Sequence, residues 1–159
     1  LCLICFRLAR TICRWLVGDI KVDVMPTEGA ILGFTNRWYQ SGVAHKIPFL
    51  LPDGQNIFIL SGPFFVATKL EAFLSRGHDD YRLSSDLEDI ITVIDGRETL
   101  LAEAQAAPAD LIAYLALHFD SFFKNRDFHE GLEGFLPASR EGKGRQKRAL
   151  AVVERLAKL

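Results

Sequence analysis

Two basic residues at helical spacing are the first candidates for chemistry in this chain. Lys69 and Arg76 stand seven residues apart in the stretch 61–97. Seven residues make about two helical turns, so both side chains lie on one face of a helix. Two cations on one face can neutralise the phosphates of a nucleoside triphosphate. A solvated basic surface is the alternative, and it is the commoner outcome for such a pair.

Three acidic residues complete the set of candidates. Asp86 and Asp89 are three residues apart and share a face of the next helix. Asp86 lies in the first turn, where the helix dipole favours a carboxylate without any function, whereas Asp89 lies deeper. Asp23 lies on an alternating segment, opposite the face that carries the valines. It is either a metal-binding carboxylate that projects from a sheet or a solvated surface acid.

The elements that must position these residues begin with strands. Alternation after residue 12 and the Gly18-Asp19 pair predict two antiparallel strands, 12–17 and 20–25, joined by a two-residue turn. Another short strand is predicted at 29–34, and a hairpin joins 45–51 to 56–60 across a Pro-Asp-Gly-Gln turn. The first sixty residues therefore predict a mostly antiparallel sheet. The cluster at residues 36–39, which contains Trp38 and Tyr39, either stacks on a base or covers a core edge.

Helical patterns dominate from residue 61 onward. Ser61 is the predicted N-cap of the helix that carries Lys69, and Gly77 follows its end. The next helix is predicted to start with a capping box in which Ser85 is the N-cap and Glu88 reaches back. Further helices are predicted at 98–106, 108–125 and 145–159, with a short turn around Phe128. The predicted fold class is α+β, with a β-rich part at 1–60 and a helical part at 61–159.

Composition limits the classes of function. The chain has 159 residues, 49% of them hydrophobic, and a net charge of −1. This predicts one globular domain, or one core with a helical appendage, without a global attraction to nucleic acid. A local basic run could touch an RNA backbone or be a solvated linker; it comprises Arg140, Lys143, Arg145, Lys147 and Arg148. All three cysteines lie in the first thirteen residues, which favours a reducing compartment, here the cytoplasm, over a disulfide framework. The apolar opening is interrupted by arginines, so we expect no membrane span.

Several motifs of other enzyme classes are absent from the sequence. It contains no Gly-rich phosphate loop of the Walker or dinucleotide type, no GxSxG and no HExxH, and its four histidines lack metal-ligand spacing. These absences disfavour P-loop hydrolases, serine hydrolases and zinc peptidases.

Two segments carry a resemblance to a known family. The runs VDVMPTEGAILGFTNRWY and FFVATKLEAFLSRGHDDYRLSSDLEDIITVIDGR resemble bacterial nucleotidyltransferase-like toxins of the AbiEii group, within the polymerase-β-like nucleotidyltransferase superfamily. The family pattern has a Gly-Ser turn, an Asp-x-Asp pair, a third acid on a later strand, a Lys-Leu-x-Ala helix and a helix that opens with Asp-x-x-Asp. Asp23 in VDVMP matches the third acid, Lys69 in KLEAF matches the lysine, and DLED supplies Asp86 and Asp89.

The first part of the family pattern is missing. No Gly-Ser turn and no Asp-x-Asp pair precede Asp23, and the chain begins with Leu. We therefore expect a partial nucleotidyltransferase core that belongs to a longer protein.

The resemblance implies metal-dependent transfer of a nucleotide from a nucleoside triphosphate to RNA, such as tRNA, or to a protein. It implies Mg²⁺ as cofactor, with Asp23 as metal ligand, and a toxin role in phage defence or beside a cognate antitoxin. Asp23 would orient or deprotonate the acceptor hydroxyl, and Lys69 with Arg76 would bind the phosphates. Asp86 or Asp89 would hold the lysine or contact the base or ribose, so Asp23, Lys69, Asp86 and Asp89 form the expected catalytic set.

Two other readings of the sequence stay open. The chain is a catalytically incomplete remnant or a nucleotide- or partner-binding module, or it is an α+β domain without activity.

Overall fold

The computed structural model describes residues 5–7, 13–28, 35–77, 79–136 and 140–159. The fold is α+β, as predicted: small antiparallel sheets are followed by a helical part. The described strands are β1 (Cys5–Arg7), β2 (Arg14–Val17), β3 (Ile20–Asp23), β4 (Ile47–Leu50) and β5 (Asn56–Ile59). The described helices are α1 (Tyr39–Ala44), α2 (Gly62–Arg76), α3 (Ser85–Gly96), α4 (Leu100–Gln105), α5 (Ala109–Lys124), α6 (Arg126–Phe135) and α7 (Arg140–Leu156).

The strands form two separate sheets in the described part of the chain. The first has the order β1-β2-β3, and the second is the hairpin β4-β5. Val17 pairs with Ile20 across the predicted turn, where Gly18 adopts a φ of 60°, a left-handed conformation that suits glycine. The hairpin prediction is confirmed, whereas the single larger sheet is not. Helix α1 separates β3 from β4 in the chain, and the strand predicted at 29–34 lies outside the described residues.

Helix α1 follows the aromatic cluster and attaches it to the core. Trp38, which precedes the helix, is 2% exposed and packs edge-on against Phe64 and Tyr114. Of the two interpretations of this tryptophan, the structure therefore supports the one in which it covers the core.

The core lies among the long helices. The predicted inward face of α3 is fully confirmed, since its apolar stripe is at most 4% exposed; the stripe consists of Leu87, Ile90, Ile91 and Ile94. α3 packs against α2, and α5 and α7 pack against each other. Leu111, Leu115 and Phe119 of α5 point inward as predicted. This packing fixes α2 beside α3, which is what positions the candidate site.

Several helix boundaries differ from the prediction. The N-cap of α3 is Ser84, whose Oγ accepts a hydrogen bond from the Leu87 N–H at 3.4 Å, and Ser85 is the first helical residue. Glu88 consequently stands one position too far along the helix for a capping box. α4 is shorter than the predicted 98–106 and α7 begins earlier than residue 145. The turn predicted around Phe128 is the helix α6, which Asn125 caps.

None of the helices in the described part of the chain combines the length and the apolar character that crossing a membrane requires.

Candidate functional site

Helices α2 and α3 bring four of the five predicted site residues into one ion-pair cluster. Lys69 Nζ lies 3.2 Å from Asp86 Oδ1 and 2.5 Å from Asp89 Oδ2. Arg76 donates from Nε to Asp86 Oδ2 and from Nη2 to Asp86 Oδ1, each at 3.0 Å. Both predicted same-face pairs therefore meet across the α2–α3 interface.

Asp86 is the centre of this cluster. The residue is only 4% exposed, so its carboxylate would be costly to bury without partners. Burial alone would raise the pKa of Asp86, but the hydrogen bonds from Arg76 and Lys69 outweigh it and hold that pKa below its usual range. Asp86 is therefore ionised at neutral pH and fixes both cations in place.

Lys69 is held on two sides. Burial alone would lower the pKa of Lys69, yet the hydrogen bonds to Asp89 and Asp86 outweigh it and raise that pKa. Its side chain is 26% exposed, whereas that of Asp89 is 46% exposed. Lys69 is thus charged and can be reached from the solvent beside Asp89.

Arg76 keeps binding capacity in spite of its ion pair. A guanidinium has five N–H donors, and the pair with Asp86 uses the Nε–H and one Nη2–H. The side chain is 70% exposed. The N–H groups on the remaining edge of the guanidinium can donate to a second oxyanion while the bonds to Asp86 stay intact.

A cleft of about 370 Å³ opens directly beside Arg76. It lies between α2 and the residues in and before α1, and its polar lining consists of Thr35, Asn36, Tyr39, Glu71, Ser75 and Arg76. The sequence patterns did not point to Glu71 or Ser75. The two residues are four apart and precede Arg76, and this spacing indicates that both lie on one strip of α2.

Asp23 forms its ion pair with a residue outside this cluster. Arg14 stands opposite Asp23 in the β2–β3 ladder and donates from Nε and Nη2 to the two carboxylate oxygens, each at 2.7 Å. These hydrogen bonds lower the pKa of Asp23. The contacts in the described structure therefore show Asp23 as half of a surface ion pair.

The donor set of the described residues does not fit a magnesium ion. Mg²⁺ requires oxygen ligands in near-octahedral geometry, and the oxygens of Asp23 are bonded to Arg14. Within the described ranges, no group of three or more His, Cys, Asp or Glu residues converges on one point. Asp86 and Asp89 are likewise engaged by cations.

The basic run is partly structural. Arg145 donates from Nε to Asp95 at 2.9 Å and also from Nη2, which ties α7 to the end of α3. Lys147 and Arg148 are exposed, while the side chains of Arg140 and Lys143 lie outside the described residues. The pair with Asp95 gives Arg145 a role in packing that needs no RNA.

Comparisons of the chain with protein-family models, with curated proteins and with solved structures find no match. The sequence pattern and the geometry of the α2–α3 cluster are therefore the features that point to a function.

Proposed function

We propose that the α2–α3 face binds the phosphates of a nucleotide, as the nucleotide-binding part of a nucleotidyltransferase-like protein. The observation that carries the proposal is Arg76, which is held by the buried Asp86 and lines an open cleft, with N–H donors that the pair with Asp86 does not use. A preorganised arginine of this kind suits a phosphate, because its planar fork binds two oxygens at once and little side-chain entropy remains to be lost.

The neighbouring groups support a division of roles. Lys69 supplies a second positive charge in the cluster, and Asp89 holds its ammonium. The buried carboxylate of Asp86 positions both cations. In this proposal Asp86 and Asp89 hold the cations. This is the expected role of holding the lysine, as opposed to contacting the base or ribose.

The full reaction that we propose is transfer of a nucleotide from a nucleoside triphosphate to RNA, tRNA included, or to a protein. It applies to a protein that supplies the acids absent from this sequence, and Mg²⁺ belongs to that wider proposal. A cytoplasmic toxin role, in phage defence or with a cognate antitoxin, rests on the resemblance and on the cysteine pattern.

A second candidate function is nucleotide or partner binding without catalysis. The observation that favours it is the pairing of Asp23 with Arg14, which occupies both oxygens of the expected catalytic acid. A catalytically incomplete remnant would retain the phosphate site and lack turnover.

Nucleotide titration followed by calorimetry tests the proposal. We expect the chain to bind nucleoside triphosphates and Arg76→Ala to weaken that affinity about tenfold or more, since a hydrogen bond to a charged group is worth roughly 1.5–3 kcal/mol. Arg126→Ala is the matched control, because Arg126 on α6 makes a similar Nε–carboxylate bond at 2.9 Å to Glu130. A wild-type chain without affinity for any triphosphate, or equal loss in both variants, would refute the phosphate site.

Incubation of the same chain with Mg²⁺, labelled triphosphate and RNA tests the second candidate. Label transfer that Lys69→Ala abolishes would contradict binding without catalysis and support the transferase.

A further inference from the structure

We infer that the cleft beside Arg76 is a nucleoside subsite in which Glu71 recognises the ribose hydroxyls, so that the site prefers ribonucleotides to 2′-deoxyribonucleotides. This inference rests on the proposed function, because it takes Arg76 as the phosphate ligand. It goes further by assigning the sugar and base to a specific wall of the cleft.

Opposite charges on two neighbouring rows of α2 give the cleft its direction. Glu71 and Arg76 both line it and lie five residues apart on α2, about 7.5 Å along the helix axis. A ligand that fits between them carries an anionic group at one end and hydroxyl donors at the other, because a carboxylate can only accept hydrogen bonds. A nucleotide has this polarity: phosphate at one end of the ribose and adjacent hydroxyls at the other side of the ring. Acidic side chains bind ribose hydroxyls in the same way at dinucleotide sites.

Glu71 is available for such a contact. It takes part in none of the ion pairs that join described residues, in contrast to Asp86 and Asp89 on the neighbouring helix. It is also only half-buried at the cleft wall. Its carboxylate can therefore receive a ligand hydroxyl without breaking an ion pair of the described residues.

The buried Tyr114 hydroxyl helps to position Glu71. Tyr114 is 7% exposed. Burial, and then hydrogen bonding to the Glu71 carboxylate together with its charge, raise the pKa of Tyr114, so its hydroxyl stays protonated. A neutral hydroxyl beside a carboxylate engages one Glu71 oxygen, which leaves the other for the ligand.

Tyr39 supplies the remaining part of the subsite. Tyr39 is one of the residues that line the cleft, and aromatic side chains stack on nucleobases with little dependence on the base. The cleft volume of about 370 Å³ falls within the range of small-ligand pockets, roughly 300–1,000 Å³. The expected selectivity therefore concerns the sugar more than the base.

Calorimetric titration with ATP and dATP tests the inference. We expect the wild-type chain to bind ATP about tenfold more tightly than dATP, because the deoxy sugar leaves a charged acceptor unpaired. Glu71→Gln keeps the shape and removes the charge, so the ATP/dATP ratio should fall toward one. Glu88→Gln, an exposed acid on α3, removes the same charge and should leave the ratio unchanged.

The outcomes distinguish this inference from the proposed function. Equal affinity of the wild-type chain for the two nucleotides, with loss in Arg76→Ala, overturns the ribose subsite and keeps the phosphate site. A ratio that survives in Glu71→Gln overturns the role of Glu71. Absence of binding to either nucleotide overturns both.

Discussion

At the scale of single residues, the arrangement depends on Asp86 more than on either cation. Asp86 is nearly buried and receives bonds from Lys69 and from two nitrogens of Arg76. Asp89 pairs with Lys69 and, among the ion pairs of the described residues, with no second cation; it is also much more exposed. Two acids three residues apart in sequence therefore contribute differently to stability, because both meet Lys69 across the helix interface but only Asp86 is buried in it.

Asp86→Asn should destabilise the fold more than Asp89→Asn. We expect a loss of about 1–3 kcal/mol in the free energy of unfolding for Asp86→Asn, since the amide weakens charged hydrogen bonds in a buried position. For Asp89→Asn we expect at most about 1 kcal/mol, the usual worth of an exposed ion pair. Urea denaturation at pH 7 measures both. Equal effects of the two substitutions would contradict the central position of Asp86.

The pH dependence of this difference follows from the lowered pKa of Asp86. Its folded pKa lies below the ordinary value of 3.8, so its contribution is fully present above that value and disappears as the pH falls through the folded pKa. The stability gap between the wild type and Asp86→Asn should stay constant from pH 7 to about 5 and shrink below about 4. A gap that stays constant far into acid would be inconsistent with a lowered pKa.

At the scale of elements, spacing within one helix or hairpin was predictable and contacts between elements were harder to predict. Apolar residues at a period of 3.6 marked the buried face of α3. The α3 cap was misplaced by one residue because adjacent serines both suit an N-cap. The contact of Arg76 with Asp86 depends on how two helices pack, which spacing within either helix does not specify.

The ion pair between Arg14 and Asp23 is a contact between strands that the sequence does predict. A two-residue turn at Gly18-Asp19 sets Val17 opposite Ile20, and counting outward along both strands sets Arg14 opposite Asp23. Opposite charges at facing positions of an antiparallel pair attract one another. The predicted turn therefore already implied the ion pair that now competes with a metal role for Asp23.

Gly131 on α6 allows a close approach between elements. A Cβ at this position would lie 1.9 Å from the Tyr81 carbonyl oxygen, whereas a Cβ at Gly134 would meet nothing within 4 Å. We expect Gly131→Ala to destabilise the fold by about 1–3 kcal/mol through overpacking. Gly134→Ala, the control in the same helix, should be neutral or stabilise it by up to about 1 kcal/mol. Thermal unfolding of both variants checks this, and a neutral Gly131→Ala would show that α6 does not pack against the Tyr81 backbone as described.

At the scale of the whole molecule, nucleotide recognition must be local. The net charge is −1, so the chain as a whole does not attract a polyanion. The two cations of the site are themselves balanced by Asp86 and Asp89. Binding must then come from the unused donors of Arg76 and Lys69 at short range, and each further phosphate within their reach should add affinity.

The most direct measurement of this central claim is the affinity of the chain for adenosine, AMP, ADP and ATP. We expect affinity to rise along the series, with ATP at least about tenfold tighter than adenosine. The double variant Lys69→Ala with Arg76→Ala should lose that rise. The variant Lys124→Ala with Arg126→Ala, which removes the same charges from exposed positions elsewhere, should keep it. Equal affinity for adenosine and ATP, or a rise that survives without Lys69 and Arg76, would contradict the account.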